Sequence, residues 1–368
     1  MRNLILTGGG TAGHCTPCLA LLPMLEKQFD NVYYIGSENG IEREIVAKTH
    51  VKYYSIPTVK LKRSVSVSNL AIPFILTQGV SKAKKMLKEL DASVVFSKGG
   101  YVALPVAIAA GRLKIPLVLH ESDMSLGLAN KISARYATEV LTSFKETASK
   151  VKNGVWTGAP VSPELFGVTR GEGRRHYGIT GTKPVLLVVG GSSGSTAINR
   201  EIRGILGELT KKYNVLHLCG KKNFSPELKG KEGYFQVPFE SEMKYAYAAA
   251  DVAVSRAGSN SIFELMAMKI PALLIPLPKA ESRGDQIENA EYFRAEGVFR
   301  MILQEEITPE KLLFEIDETY RNRLNLTLSA KNYGTFANAK IAERIVRASL
   351  KQPPRANSRA ASPRNTRA

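Results

Sequence analysis

The feature that most constrains this chain occurs twice. Near the start, Leu4-Ile5-Leu6 reads as a short buried strand. The glycine run of TGGGTAGH (Thr7 to His14) follows, then Cys18 to Leu25, which reads as the body of a helix. Midway, Pro184-Val-Leu-Leu-Val-Val189 is a second such strand, and Gly190-Gly-Ser-Ser-Gly194 leads into another helical stretch. Glycine has no Cβ, so backbone N–H groups in such turns approach a ligand closely, and the helix N-terminus adds partial positive charge. Turns of this kind suit a phosphate or diphosphate. The spacing Gly8-x-Gly10-x-x-Gly13, with Glu38 near the end of a second strand, also meets the dinucleotide fingerprint. A dehydrogenase, however, uses one such turn with a differently built catalytic domain. Two turns, each heading one half, favour two Rossmann-like halves with parallel sheets facing across a cleft.

The rest of the chain fits that layout. Strand-like runs in the first half are Leu4–Thr7, Val32–Ile35, Tyr53–Ile56, Val94–Ser97, Leu117–His120, Val140–Thr142 and Val155–Trp156, with helical stretches between them. After a glycine- and proline-rich break the pattern restarts, with later strands at Val215–Cys219, Tyr234–Val237, Val252–Ser255, Ala272–Ile275 and Val298–Ile302. This alternation is that of an α/β protein. A length of 368 residues suits two domains. The expected division is 1–158, a linker over 159–183, 184–330, a helix over 331–350 and a disordered basic tail over 351–368.

A net charge of +18 favours anionic partners, and Arg355, Arg359, Arg364 and Arg367 of the tail supply part of it. No nucleic-acid recognition module appears. No apolar run reaches the 18 to 20 or so residues of a membrane span, and no signal segment is apparent, so a cytoplasmic protein is expected. Cys15-Thr-Pro-Cys18 has the C-x-x-C spacing of a redox pair, and His14, His217 and Cys219 are conceivable partners around zinc. A glycine-rich phosphate turn is the wrong setting for either, so the cysteines are expected to pack.

Four further segments put polar groups just after strands, where open parallel sheets bind ligands. They are Ser97-Lys-Gly-Gly-Tyr101, His120-Glu-Ser-Asp123 with its continuation MSLGLANK, the run from Ser255 to Glu264, and Ser282-Arg-Gly-Asp-Gln-Ile-Glu-Asn289. In their order, TGGGTAGHCTP, KGGYVALP, HESDMSLGLANK, VVGGSSGS, SRAGSNSIFEL and SRGDQIENA closely resemble the signatures of the MurG transferases of glycosyltransferase family 28, from residue 3 to about residue 345. The resemblance implies a GT-B fold and inverting transfer of GlcNAc from UDP-GlcNAc to the muramyl 4-hydroxyl of lipid I, giving lipid II for peptidoglycan. The first domain would then serve the acceptor and the membrane, the second UDP-GlcNAc.

By the same resemblance, Glu264 grips the ribose diol, and Ser192 and Ser259 serve the donor diphosphate. Gln286, beside Asp285, reads sugar hydroxyls. Thr11, Ala12 and Gly13 face the transferred sugar and acceptor diphosphate, and Gly99, Gly100 and Tyr101 form a second acceptor-side loop. His14 is the candidate base, since imidazole titrates near neutrality; Glu121 and Asp123 are its rivals. No D-x-D carboxylate pair stands at a strand end, so no metal or cofactor is expected. The chain departs from the family pattern at Ser162, where many members carry an arginine toward the donor, at Asp123 for asparagine, and at Ala12 for glycine.

Leu70, Ile72, Phe74, Ile75, Leu76 and Val80, flanked by Lys60, Lys62, Arg63, Lys82, Lys84 and Lys85, suit docking on an anionic membrane surface. A peripheral place on the cytoplasmic face of the cell membrane is therefore expected. Alternative readings are another GT-B UDP-sugar transferase with a lipid acceptor, such as diacylglycerol, a UDP-GlcNAc 2-epimerase, or a non-catalytic nucleotide-binding scaffold.

Overall fold

The computed structural model describes residues 1–59, 72–191, 193–330 and 337–351. The first sheet contains β1 (Asn3–Thr7), β2 (Asn31–Ser37), β3 (Lys52–Ile56), β4 (Ala92–Ser97), β5 (Leu117–Glu121), β6 (Glu139–Thr142) and β7 (Gly154–Trp156). The second contains β8 (Val185–Val189), β9 (Asn214–Leu218), β10 (Tyr234–Val237), β11 (Val252–Ser255), β12 (Ala272–Leu274) and β13 (Arg300–Met301). Their orders are β3-β2-β1-β4-β5-β6-β7 and β10-β9-β8-β11-β12-β13, parallel throughout. β1 and β8 are buried along their whole length, which is why NLILT and VLLVV are nearly unbroken apolar runs. In each sheet the strand order reverses beside the leading strand, between β1 and β4 and between β8 and β11. The ligand crevice of an open parallel sheet lies at such a point. All four loops in question, after β1, β4, β8 and β11, leave the sheets there.

The first helix begins earlier than its apolar body suggests. It spans Ala12–Leu19, and a separate turn covers Leu22–Leu25. Pro17 is accommodated inside the first helix, whereas Pro23 lacks the N–H that a continuous helix would donate to Leu19 O, which accounts for the break. The stretch over 159–183 is packed rather than free. It carries the helix Arg170–His176, started by a capping box between Thr169 and Glu172, and buries Ala159, Leu165 and Ile179 in the second sheet's core.

The helix Ala337–Ser349 returns to the first half. Ile341, Ile345 and Ala348 pack with Leu4, Leu6, Val94 and Phe96. At the crossing, the Asn338 carboxamide accepts from Val161 N at 3.0 Å and donates to Val161 O at 2.7 Å. The halves also meet through Phe144, just after β6. Its ring lies 5.8, 5.1 and 5.3 Å from those of Phe263, Tyr292 and Phe293 of the second half.

Candidate active site

The two loops of the first half interlock. Gly10 (φ +87°) packs under the Tyr101 ring and Gly100 (φ +82°) against the Gly9 carbonyl, so a Cβ at either position would overlap its neighbour. Gly99 packs likewise against the Asn130 carboxamide. Beneath them lies the fully buried Glu42, whose carboxylate accepts from Gly10 N at 3.2 Å, Ser37 N at 3.0 Å and the Ser37 hydroxyl. Glu38, the acid of the dinucleotide reading, is instead at the surface beside Lys82. Thr11 starts the first helix without a side-chain cap, so the N–H groups over Ala12 and Gly13 have no intrahelical partner.

His14 lies between these loops, its ring against Gly100. Loss of water contact, then the Lys98 ammonium, push its pKa down to about 4; an interaction with the Lys98 backbone opposes them. The ring is therefore neutral at pH 7 and able to accept a proton, though not by titrating near neutrality as an ordinary imidazole would. Lys98 itself is 1% exposed at the end of β4 and bonds the Ser122 hydroxyl. Burial lowers its pKa, with Glu121 opposing.

Glu121 has a different setting from that of a rival base. Its carboxylate accepts from Ser122 N (2.8 Å), Asp123 N (3.1 Å), Gly127 N (3.1 Å) and Asn130 Nδ2 (2.8 Å). Four donors leave its lone pairs occupied in shaping the loop over 122–127. That loop reaches across the cleft. Asp123 accepts from Asn289 Nδ2 at 3.1 Å and lies 3.4 Å from Arg283, while Asn289 Oδ1 accepts from Met124 N at 2.9 Å. Burial raises the Asp123 pKa; Asn289, Ser259 and Arg283 favour its charged form. A second bridge runs from Asn260 Nδ2 to Gly13 O at 3.0 Å and leaves the buried Asn260 Oδ1 without a partner among the described residues.

In the second half, Ser259 begins the helix Ser259–Ala267, whose N-cap is Gly258 and which has no side-chain cap. The helix after the second glycine turn is capped by Ser195, accepting from Ile198 N at 3.3 Å, and Ser195 is held by the Arg256 guanidinium at 2.8 Å. Glu264 accepts from the buried Tyr247 phenol at 2.8 Å; burial raises its pKa and this bond opposes the rise. Gln286 accepts from Leu277 N at 3.0 Å, which directs its other amide atom elsewhere, and Asp285 lies 3.5 Å from Arg283. Ser162 turns its hydroxyl toward Glu164 N at 3.4 Å, capping a short local turn. Ser192 lies outside the described residues.

Cys15 and Cys18 are both buried, and burial raises both thiols, Cys15 to about 11. Neither is a thiolate at neutral pH, so the C-x-x-C is a packing pair. The residues that motif reading passed over are Lys98, Glu42, Asn130, Asn260 and Asn289. Four of them, all but Glu42, stood inside quoted motifs, but only the fold reveals that a lysine is buried or that an asparagine spans two halves.

Comparison with known proteins agrees with this geometry. Residues 4–142 match the glycosyltransferase family 28 N-terminal domain and residues 185–345 the family 28 C-terminal domain. A UDP-N-acetylglucosamine--N-acetylmuramyl-(pentapeptide) pyrophosphoryl-undecaprenol N-acetylglucosamine transferase of Lachnoclostridium phytofermentans is 43% identical, over 90% of this chain and 94% of its own. The enzyme of that name from Clostridium kluyveri is 44% identical over 88% and 94%. Among solved structures, MurG of Acinetobacter baumannii superposes with a TM-score of 0.74 at 26% identity, over 94% of this chain and all of that one. With its two parallel sheets, paired glycine loops and matches over both halves, the chain belongs to the MurG transferases of glycosyltransferase family 28.

Proposed function

We infer that this protein transfers GlcNAc from UDP-GlcNAc to the 4-hydroxyl of the muramyl sugar of undecaprenyl-diphospho-MurNAc-pentapeptide (lipid I), producing lipid II. The observation that carries this reading is His14 packed against the interlocked glycine loops, whose Gly13 is bridged at 3.0 Å to Asn260 on the helix that begins at Ser259 in the second half. In the second half, the uncapped helix at Ser259 offers its positive end to the donor diphosphate, and Glu264 offers two acceptors to the ribose diol. Gln286 supplies amide contacts to the sugar. In the first half, the loops around Gly13 and Gly100 receive the acceptor diphosphate.

The reaction then needs one proton acceptor and one anion stabiliser. His14 takes the proton of the 4-hydroxyl as its oxygen attacks the anomeric carbon from the face opposite UDP. The new C–O bond forms, the bond to the β-phosphate oxygen breaks, and UDP departs with its negative charge toward the Ser259 helix. The Asn289–Asp123 hydrogen bond ties the two halves together beside this site. Ser162 has no arginine's reach, so the donor relies on the other contacts.

Membrane docking belongs to the same reading. In the helix Ile72–Glu89, Phe74 is 67% exposed and Lys82, Lys84 and Lys85 are exposed, whereas Val80 is in the core and Leu76 packs on it. Lys60, Lys62, Arg63 and Leu70 lie outside the described residues. The exposed part suits peripheral attachment to an anionic leaflet, at the cytoplasmic face where UDP-GlcNAc is available. No helix among the described residues is long and apolar enough to cross a membrane.

The test is incubation with labelled UDP-GlcNAc and a short-chain lipid I analogue. A disaccharide product is expected. Transfer only to diacylglycerol, or conversion of UDP-GlcNAc without any acceptor, would overturn the reading.

A further inference from the structure

A cavity of about 780 Å³ lies between the halves, behind the loop that contains Asp123. Its volume is within the range of small-molecule sites. One wall, from the first half, carries Lys131, Lys150 and Lys152. The opposite wall, on the helix Asp285–Ala295, carries Glu288 and Glu291. These five side chains make no ion pair among the described residues, so both walls present open charge. Met124, Leu126 and Tyr292 supply apolar surface between them.

Cations on one side, carboxylates on the other and an apolar strip between them match a short peptide. Such a ligand carries free carboxylate, amide or amine donors, and apolar side chains in one molecule. The cavity also adjoins the reaction centre. Asn130, beside the cavity-lining Lys131, packs against Gly99, and the adjoining Gly100 packs against the His14 ring; Asp123, on the same loop as Met124 and Leu126, is 3.4 Å from Arg283. In a muramyl sugar the peptide hangs from the lactyl ether at C3, the carbon beside the reacting 4-hydroxyl. A sugar presented to His14 therefore has its peptide within reach of the far side of this loop.

We propose that this cavity is the subsite for the acceptor's peptide stem, seating a stem carboxylate on the lysine wall and amide or amine donors on the glutamate wall. The inference rests on the transferase reading above. Because the walls come from different halves, a seated stem also bridges the cleft beside the Asp123–Asn289 contact.

The experiment compares two short-chain acceptors, one with the full pentapeptide and one ending at the lactyl amide, in steady-state kinetics. For the wild type, KM is lower with the pentapeptide. In Lys150→Ala/Lys152→Ala, KM for the pentapeptide acceptor rises about three- to tenfold, the worth of two partly exposed charge contacts. KM for the peptide-free acceptor, kcat and donor affinity stay unchanged. Equal KM values for the two acceptors in the wild type, or an equal rise for both in the variant, would overturn the subsite and leave the transferase reading intact. If the wild type glycosylates neither acceptor, the transferase reading falls and the subsite with it.

Discussion

His14 is tuned by what surrounds it, and the tuning has a measurable sign. With the pKa lowered to about 4, by burial first and Lys98 next, the ring stays in its proton-accepting form throughout the neutral range. As far as His14 is concerned, the rate should be flat from about pH 5 to 8 and fall only as pH drops through about 4. Lys98→Met removes the cation, so that acid limb should move upward toward the ordinary histidine value of about 6.5. His14→Ala should cost about 10²- to 10⁴-fold in kcat and abolish the limb, with donor affinity unchanged. A limb near neutrality that ignores Lys98→Met would assign the proton to another group.

The donor side makes a parallel prediction. Glu264→Ala should weaken UDP-GlcNAc binding by about 1.5–3 kcal/mol, as for a hydrogen bond to a charged group. Tyr247→Phe keeps the ring but removes the bond that favours the carboxylate, so the Glu264 pKa should rise further. Calorimetry should then find donor affinity reduced more at pH 6 than at pH 8, with kcat at saturating donor little changed. A loss that is the same at both pH values would make Tyr247 a packing residue. His14 and Glu264 stand out in the sequence because their motifs are local. The task of Glu121 does not, because it depends on where Gly127 and Asn130 fold back.

At the scale of elements, the thirteen strands among the described residues were legible, the central ones as buried apolar runs and the outer, half-buried ones as short runs bounded by turn residues. Helix limits were less so. Pro17 sits inside the first helix without ending it, and the helix stops only after Leu19, where Pro23 has no N–H to continue the ladder. The helix Ile72–Glu89 shows the same limit. Its sequence offers a single apolar patch, yet the fold divides it, sending Val80, Ala83 and Leu87 into the core and leaving Phe74 outside. Phe74→Ser with Lys82→Ala and Lys84→Ala should therefore lower binding to anionic vesicles while turnover of a soluble acceptor analogue is kept. Wild-type vesicle binding should weaken as salt rises, since screening shortens the reach of the lysines. Unchanged vesicle binding in the triple variant would remove this helix from the docking surface.

The duplicated architecture was legible at the scale of the molecule, because strand, glycine turn and helix recur in one order. Its closure was not. An amphipathic helix after the second half announces an apolar partner without naming it, and the partner proves to be the first sheet. Stability follows from both halves together, and its pH dependence can be worked out from three histidines. Burial lowers the pKa of His14 to about 4, of His217 to about 3, and of His120 well below the usual value. An unfolded chain takes up these protons as pH falls below about 6.5, while the folded chain refuses them. The unfolded state then binds more protons, so this part of the stability, present above about pH 6.5, is lost as pH falls toward 3 to 4. Glu121, Asp123 and Glu264, with raised pKa values, work in the opposite direction, because the folded chain holds their protons to higher pH than the unfolded chain does. Calorimetry reads the histidine contribution as the change in the slope of Tm between pH 7 and 4 when one of these histidines is replaced. His217 is the cleanest probe, being fully buried between Tyr234 at 2.9 Å and Asn199 at 2.8 Å, away from the proposed reaction centre. His217→Gln should lower Tm at pH 7 yet make the change in Tm from pH 7 to 4 less negative than in the wild type, because one refused proton has been removed. An unchanged slope in that variant would mean that the histidine contribution arises elsewhere, with the first-half pair of His14 and His120 next to be replaced.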